Sequence, residues 1–294
     1  MSDKDAVWRG LDQAALDAQY NLRAACPDHP AYFARWAAES AAARARLPGR
    51  LDLAYGAGAR QTLDLFAAPG AAAPLLVFLH GGWWQAMDKR DFSFIAPAFR
   101  ARGIAVAIVG YTLAPAATIG AIVEESRAAL AFLRRHAGEL GIDAGRIAVA
   151  GHSAGGHLTA MLALDEAAGP PPVVCAISGV FDLEPIRLCY LNRVLGLTAA
   201  ETPGLSPFRL LERRRGRMPA PRLLLSVGGR ETAELRRQQA EFSACWRERV
   251  ATPVIVEQPE DDHFSVMDRL AQPGSPLSRA LADAISGGLP AIGA

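Results

Sequence analysis

The spacing of apolar positions along the chain changes character twice. Residues 11–47 are alanine-rich and helical in character, with Tyr20, Tyr32, Phe33 and Trp36 interspersed. Cys26-Pro27-Asp28-His29-Pro30 divides the stretch, because proline lacks a backbone donor and resists a helix interior, so two helices are expected. Residues 1–48 thus read as a helical N-terminal extension whose aromatics either staple it to the core or roof a pocket. After Pro48-Gly49 the period drops to two. Residues 50–54 and 61–66 alternate apolar and polar around Gly56-Ala57-Gly58, the pattern of an antiparallel hairpin with one wet face.

Short, unbroken apolar runs then take over at 75–79, 104–109, 147–150, 173–177, 223–227 and 254–256. Each is β-rich and bounded by Gly, Pro or charge, as strands buried on both faces are. Helical stretches at 92–102, 119–137, 154–164, 234–249 and 276–285 separate them. Strand and helix in alternation predict an α/β fold: a mostly parallel, eight-stranded sheet covered by helices on both faces. Residues 181–217 form a longer connection after the sixth strand, the length of a functional insertion or lid.

Length alone suggests about two domains, but the unbroken alternation reduces the expectation to one, spanning 1–294. The chain is 51% hydrophobic and 21% charged, which suits a globular core and argues against disorder. With a formal net charge of +1 it carries no field that would draw in nucleic acid or an anionic membrane. The one dense basic cluster, Arg213, Arg214, Arg215 and Arg217, has no interleaved aromatics and reads as a solvated loop or helix end. Cys26, Cys175, Cys189 and Cys245 are scattered without a C-x-x-C pair, so neither a zinc site nor a redox dithiol is expected. The opening Met-Ser-Asp-Lys-Asp is no export signal and no apolar run approaches a membrane span, so a cytoplasmic location is expected.

Chemistry concentrates at the ends of the expected strands. Gly151-His152-Ser153-Ala154-Gly155 follows one strand and opens a helix, the context of a nucleophile elbow, which lifts the Ser153 hydroxyl above the sheet on a strained turn. Gly81 and Gly82, within His80-Gly81-Gly82-Trp83-Trp84, let backbone N–H groups approach a developing oxyanion. With the amide of Ala154 they would make a three-donor hole, in which one donor is typically worth about 10²–10³ in turnover. Two histidines follow Ser153. His157, one helical turn on, reads as a buried core imidazole. His263, after the last strand, is the expected general base, and His80 is expected to orient its loop. Glu231, at the end of the 223–227 strand, is the preferred acid, with Asp182 and Glu234 as rivals; Asp261 and Asp262 read as a solvated turn. Trp83, Trp84, Tyr111 and Phe181 lie near strand carboxyl ends, where they line an aromatic-accepting pocket or belong to the core.

These motifs, together with 88–94 (DKRDFSF), Ser178-Gly179-Val180-Phe181-Asp182-Leu183-Glu184-Pro185, Leu205-Ser206-Pro207, Gly228-Gly229-Arg230-Glu231, Tyr20-Asn21-Leu22-Arg23 and Pro27-Asp28-His29-Pro30, resemble the α/β-hydrolase superfamily. The likeness is to its HGG-loop branch of esterases and, within that, to kynurenine formamidases (arylformamidases). The resemblance implies an α/β-hydrolase fold and a Ser153–Glu231–His263 triad with an oxyanion hole of Gly81, Gly82 and Ala154. Two positions depart from the pattern: Glu231 stands where most of these enzymes carry Asp, and Trp83 where Tyr is frequent. The expected activity is cleavage of a formamide or ester of a small, aromatic substrate through an acyl-enzyme, without metal or cofactor. A general carboxylesterase and an inactive ligand-binding homologue are the alternatives. The sequence does not fix the oligomeric state, a homodimer included.

Overall fold

The computed structural model describes residues 6–216 and 221–287. Arg217, which ends both the arginine run and the expected insertion, and the first five residues lie outside them. The hairpin forms as expected, β1 (Gly49–Ala54) pairing antiparallel with β2 (Thr62–Phe66). Six further strands follow: β3 (Ala73–Leu79), β4 (Ala105–Val109), β5 (Ile142–His152), β6 (Val173–Ile177), β7 (Arg222–Ser226) and β8 (Val254–Ile255). The sheet runs in the order β1-β2-β4-β3-β5-β6-β7-β8, antiparallel at β1-β2-β4 and parallel from β4 onward. Register aligns the strand ends: Leu79 lies beside Gly151, His152 beside Ile177, and Ile177 beside Ser226. The loops that follow β3, β5, β6 and β7 therefore leave the sheet along one edge, where ligands gather in open α/β sheets.

The helices are α1 (Gln13–Tyr20), α2 (Leu22–Ala25), α3 (His29–Arg46), α4 (Ala96–Arg100), α5 (Ile119–Arg135), α6 (Ala137–Leu140), α7 (Ala154–Ala163), α8 (Glu184–Leu188), α9 (Asn192–Leu195), α10 (Pro207–Arg213), α11 (Ala233–Arg249), α12 (Ser265–Ala271) and α13 (Pro276–Ile285). The extension is three helices rather than two. Asn21 interrupts the first and caps the second by accepting from the Ala24 amide, while Pro30 sits in the first turn of α3, where its missing N–H costs nothing. The helix expected at 92–102 begins as a 3₁₀ turn at Lys89, held by a reciprocal cap between Asp88 and Asp91, and becomes α4 at Ala96. Strand β5 runs eleven residues, not four, because its polar Asp143–Arg146 stretch is solvent-facing and carries no apolar signal. The 181–217 connection carries α8, α9 and α10.

Apart from the polar start of β5, the strands from β3 to β7 are almost wholly buried, so the apolar core fills the space between the sheet and both helical layers. Buried charge ties the hairpin down: the Lys89 ammonium meets Asp52 at 2.5 Å and Asp64 at 2.6 Å, and Arg44 of α3 also pairs with Asp64. Lys89 and Asp64 are both buried, so loss of either would leave the other's charge undercompensated in the interior. Among the described residues no helix is long and apolar enough to cross a membrane.

Candidate active site

Ser153 stands between the end of β5 and the start of α7 at φ 57°, ψ −116°, a backbone conformation that a side-chain-bearing residue adopts only under constraint. The constraint is visible. Its N–H donates to the Ile177 carbonyl at 2.9 Å, and the two glycines of the pentapeptide pack against backbone. A Cβ at Gly151 would overlap the Gly155 carbonyl, and one at Gly155 would overlap the Leu79 carbonyl. The G-x-S-x-G spacing is thus a packing requirement of β3, β5 and α7.

His263 and Glu231 come together at the next strand ends. His263 Nδ1 lies 2.7 Å from Glu231 Oε2, and Glu231 Oε1 accepts from the Ser178 hydroxyl at 2.5 Å and the Gly228 amide at 2.8 Å. Neither rival acid reaches the imidazole. Asp182 is bound by Arg209 at 2.9 Å, and Glu234 pairs with Arg237 while accepting from the Tyr20 hydroxyl and the Trp8 indole. Asp261 and Asp262 are not a solvated turn. Asp261 is buried against Arg269. Asp262 accepts from the Phe264 and Ser265 amides, and from Tyr32 and Cys26 of the extension. Burial alone would raise the Asp262 carboxyl, but these donors outweigh it and hold it below the usual carboxylate range.

Two residues at this junction fall inside the motifs quoted above, which give neither a role. His152 is buried with its ring 4.5 Å from that of His263, and its Nε2 donates to the His263 carbonyl at 2.8 Å. Burial drives its pKa well down, so it is a neutral clamp on the backbone that carries His263. Ser178 is the other.

The glycine loop after β3 is bent by four conformations of similar kind: Gly82 at φ 111°, Trp83 at 53°, Trp84 at 56° and Met87 at 72°. A Cβ on Gly81 would stand 3.2 Å from the Ser153 Cβ, so the loop backbone is pressed against the elbow. Among the described residues no carbonyl or side chain accepts from the amides of Gly81, Gly82 or Ala154. His80 lies beneath the loop between the rings of Tyr111 and Phe92, at 4.2 and 5.6 Å. Its Nδ1 donates to the Gly81 carbonyl at 2.7 Å, and burial holds its pKa down at about 4. The Tyr111 hydroxyl fixes the same loop by donating to the His80 carbonyl.

Ser153, His152, His263, Gly81 and Gly82 open on a cavity of about 490 Å³. Trp83 lines it. Trp84, Tyr111 and Phe181 do not: Trp84 packs edge-on to His157, Tyr111 lies under His80, and Phe181 stacks on Phe242 at 4.2 Å, all three fully buried. Nearness to a strand end decides depth but not direction, and these three rings point into the core. The aromatic wall comes instead from Phe33 and Trp36 of α3, Phe92, Tyr190 of the insertion, and Phe264. His157 is a core imidazole, bound to the Leu205 carbonyl at 2.7 Å and held by burial at about 4. Among the described residues no group of three or more His, Cys, Asp or Glu is arranged to hold a metal.

Comparison with known proteins bears on this arrangement. The BD-FAE family matches residues 63–170. The kynurenine formamidase of Danio rerio is 25% identical over 93% of this chain and 97% of its own. The carboxylesterase NlhH of Mycobacterium tuberculosis is 43% identical over 34% of this chain and 32% of its own. The crystal structure of a provisionally assigned thioesterase from a Silicibacter species superposes with a TM-score of 0.80 at 33% identity, covering 90% of this chain and 98% of that one. The chain belongs to the α/β-hydrolase superfamily. It is a hydrolase of the branch with an HGG loop, related to the kynurenine formamidases and carboxylesterases.

In this hydrolase the extension is built into the site. Asn21, Leu22 and Arg23 join Phe33 and Trp36 in the lining. The Trp36 indole donates to Asp268 of α12 at 2.9 Å, Arg35 pairs with the same carboxylate, and Tyr32 reaches Asp262. From the insertion, Tyr190, Leu191 and Val194 close the other side.

Proposed function

We propose that this hydrolase cleaves a formamide or ester of a small aromatic substrate, with Ser153 as nucleophile, His263 as base and Glu231 as the acid that orients it. One observation carries the reading: Ser153 and His263 open on the same aromatic-walled cavity, and His263 is backed by a buried carboxylate at 2.7 Å. His263 Nε2 takes the Ser153 proton as Oγ attacks the acyl or formyl carbon, while Glu231 holds Nδ1–H and stabilises the imidazolium. The amides of Gly81, Gly82 and Ala154 are free to meet the negative charge that gathers on the carbonyl oxygen. Protonated His263 then gives its proton to the departing arylamine or alcohol, and water, activated by the same imidazole, releases the acid. Every step uses groups of one chain, acting as one domain.

The formamide reading draws on the Danio rerio relative, which matches along nearly the whole chain. A general carboxylesterase is the second reading, favoured by the higher identity of NlhH over the shorter stretch that it matches. A panel of aryl formamides and aryl esters of rising acyl length separates them. The formamidase reading expects turnover of the formamides to match or exceed that of the acetates. Fast ester cleavage beside negligible formamide cleavage would select the esterase. Ser153→Ala is expected to abolish labelling by a fluorophosphonate and to lower turnover by at least about 10³-fold. Labelling that persists in that variant would remove Ser153 from its role.

A further inference from the structure

Glu231 has more partners than a triad acid needs. Its side chain is wholly buried, and a buried carboxylate stays ionised only where its lone pairs are met. Oε2 faces His263, while Oε1 takes the Gly228 amide and the Ser178 hydroxyl. Ser178 follows β6, the strand between those that lead to Ser153 and to Glu231. It lies at φ +50°, in the left-handed region, and its own N–H is tied to the Ser226 carbonyl at 2.7 Å. Glycine would meet this backbone demand without steric cost, yet the position carries a buried hydroxyl aimed at Glu231. Strain of this kind persists where the surroundings over-determine it, and it clusters at functional sites. Ser178 does not line the cavity.

We propose that Ser178 is a positioning residue of the hydrolase: its hydroxyl holds Glu231 Oε1, so that Oε2 stays aimed at His263 Nδ1. The proposal rests on the triad reading given above. Across the sheet end, two serines in left-handed backbone, Ser153 and Ser178, then serve the nucleophile and the acid respectively. Around the His263–Glu231 pair, His152 packs against the imidazole, while Asp262 and Arg230 adjoin His263 and Glu231 along the chain. The Ser178 hydroxyl donates to Glu231 and not to these groups.

The test measures pH profiles of kcat/KM for Ser178→Ala, Ser178→Gly and Glu231→Gln. Glycine relieves the backbone and removes the hydroxyl, so it decides the matter if the alanine variant fails to fold. A hydrogen bond to a charged group sets the expected loss, about 10- to 100-fold in kcat with KM little changed. The acidic limb should move to higher pH, since a carboxylate deprived of a donor makes the pair bind its proton more tightly. A residue that merely packs would lower the thermal midpoint and leave the limb in place. An unmoved limb with near wild-type kcat in Ser178→Gly, beside an inactive Glu231→Gln, overturns the proposal and leaves the triad standing. Wild-type turnover in Glu231→Gln would remove the triad reading itself.

Discussion

At the scale of the residue, the length of Glu231 matters. Its side chain folds back to the Gly228 amide three positions earlier while still meeting Ser178 and His263. An aspartate, one methylene shorter, cannot keep all three partners on this backbone. Glu231→Asp is therefore expected to lose about 10-fold or more in kcat/KM, read with a chromogenic ester. Retention of full activity would mean that the loop adjusts freely. Gly155→Ala should be costlier to the fold than to the chemistry, because the added methyl overlaps a β3 carbonyl with no flexible side chain to yield. The expected destabilisation is on the order of 2–4 kcal/mol in chemical denaturation. Ser153 and His263 were legible as candidates because elbow and strand order point to them, and the structure opens both on one cavity. The contacts of Ser178 and His152 were not, since both lie inside recognisable motifs yet neither a serine after a strand nor the variable position of the elbow says what its side chain meets. Their roles exist only in the distances to Glu231 and His263.

Among elements, the N-terminal extension changes standing most. Its aromatics are expected either to staple it to the core or to roof a pocket, and they do both: Tyr20 and Trp36 are buried, while Phe33 and Trp36 line the cavity. What pattern could not supply was direction: which rings face the cavity depends on how α3 lies against Phe94, Phe264 and α12. Trp36 stacks on Phe94 at 5.5 Å and also lines the site. Trp36→Ala is expected to cost about 3–5 kcal/mol by the loss of a buried indole, and to raise KM for aryl substrates more than for acetate esters of small alcohols. Equal KM changes for both would deny the wall its role. Helix α12 was missed because only its buried Val266, Met267 and Leu270 carry helical spacing, too short a run to stand out beside the polar turn before it.

Over the whole molecule, alternation of buried strands and amphipathic helices made the sheet legible, since each parallel strand must be covered on both faces. Three buried neutral imidazoles, His80, His152 and His157, give the fold a pH dependence. Burial lowers all three, His80 and His157 to about 4. The unfolded chain binds protons near pH 6.5 while the folded chain refuses them, so stability is complete above about 6.5 and drains away as pH falls toward 4. Unfolding at pH 5 should bind about three protons at these groups, drawn from the buffer and measurable by calorimetry in buffers of different ionisation enthalpy. Uptake below one would show that the imidazoles titrate in the folded state.

The cavity draws its lining from Asn21 through to Phe264. Such a site cannot be assembled by a growing chain before Phe264 is made. On the proposed triad, a nascent polypeptide that carries Ser153 but has not yet reached His263 has no base to activate it, so hydrolysis switches on only after that residue is made and folded. Turnover in a translation reaction would accordingly count finished, folded molecules, and a stalled ribosome would display a serine that does nothing.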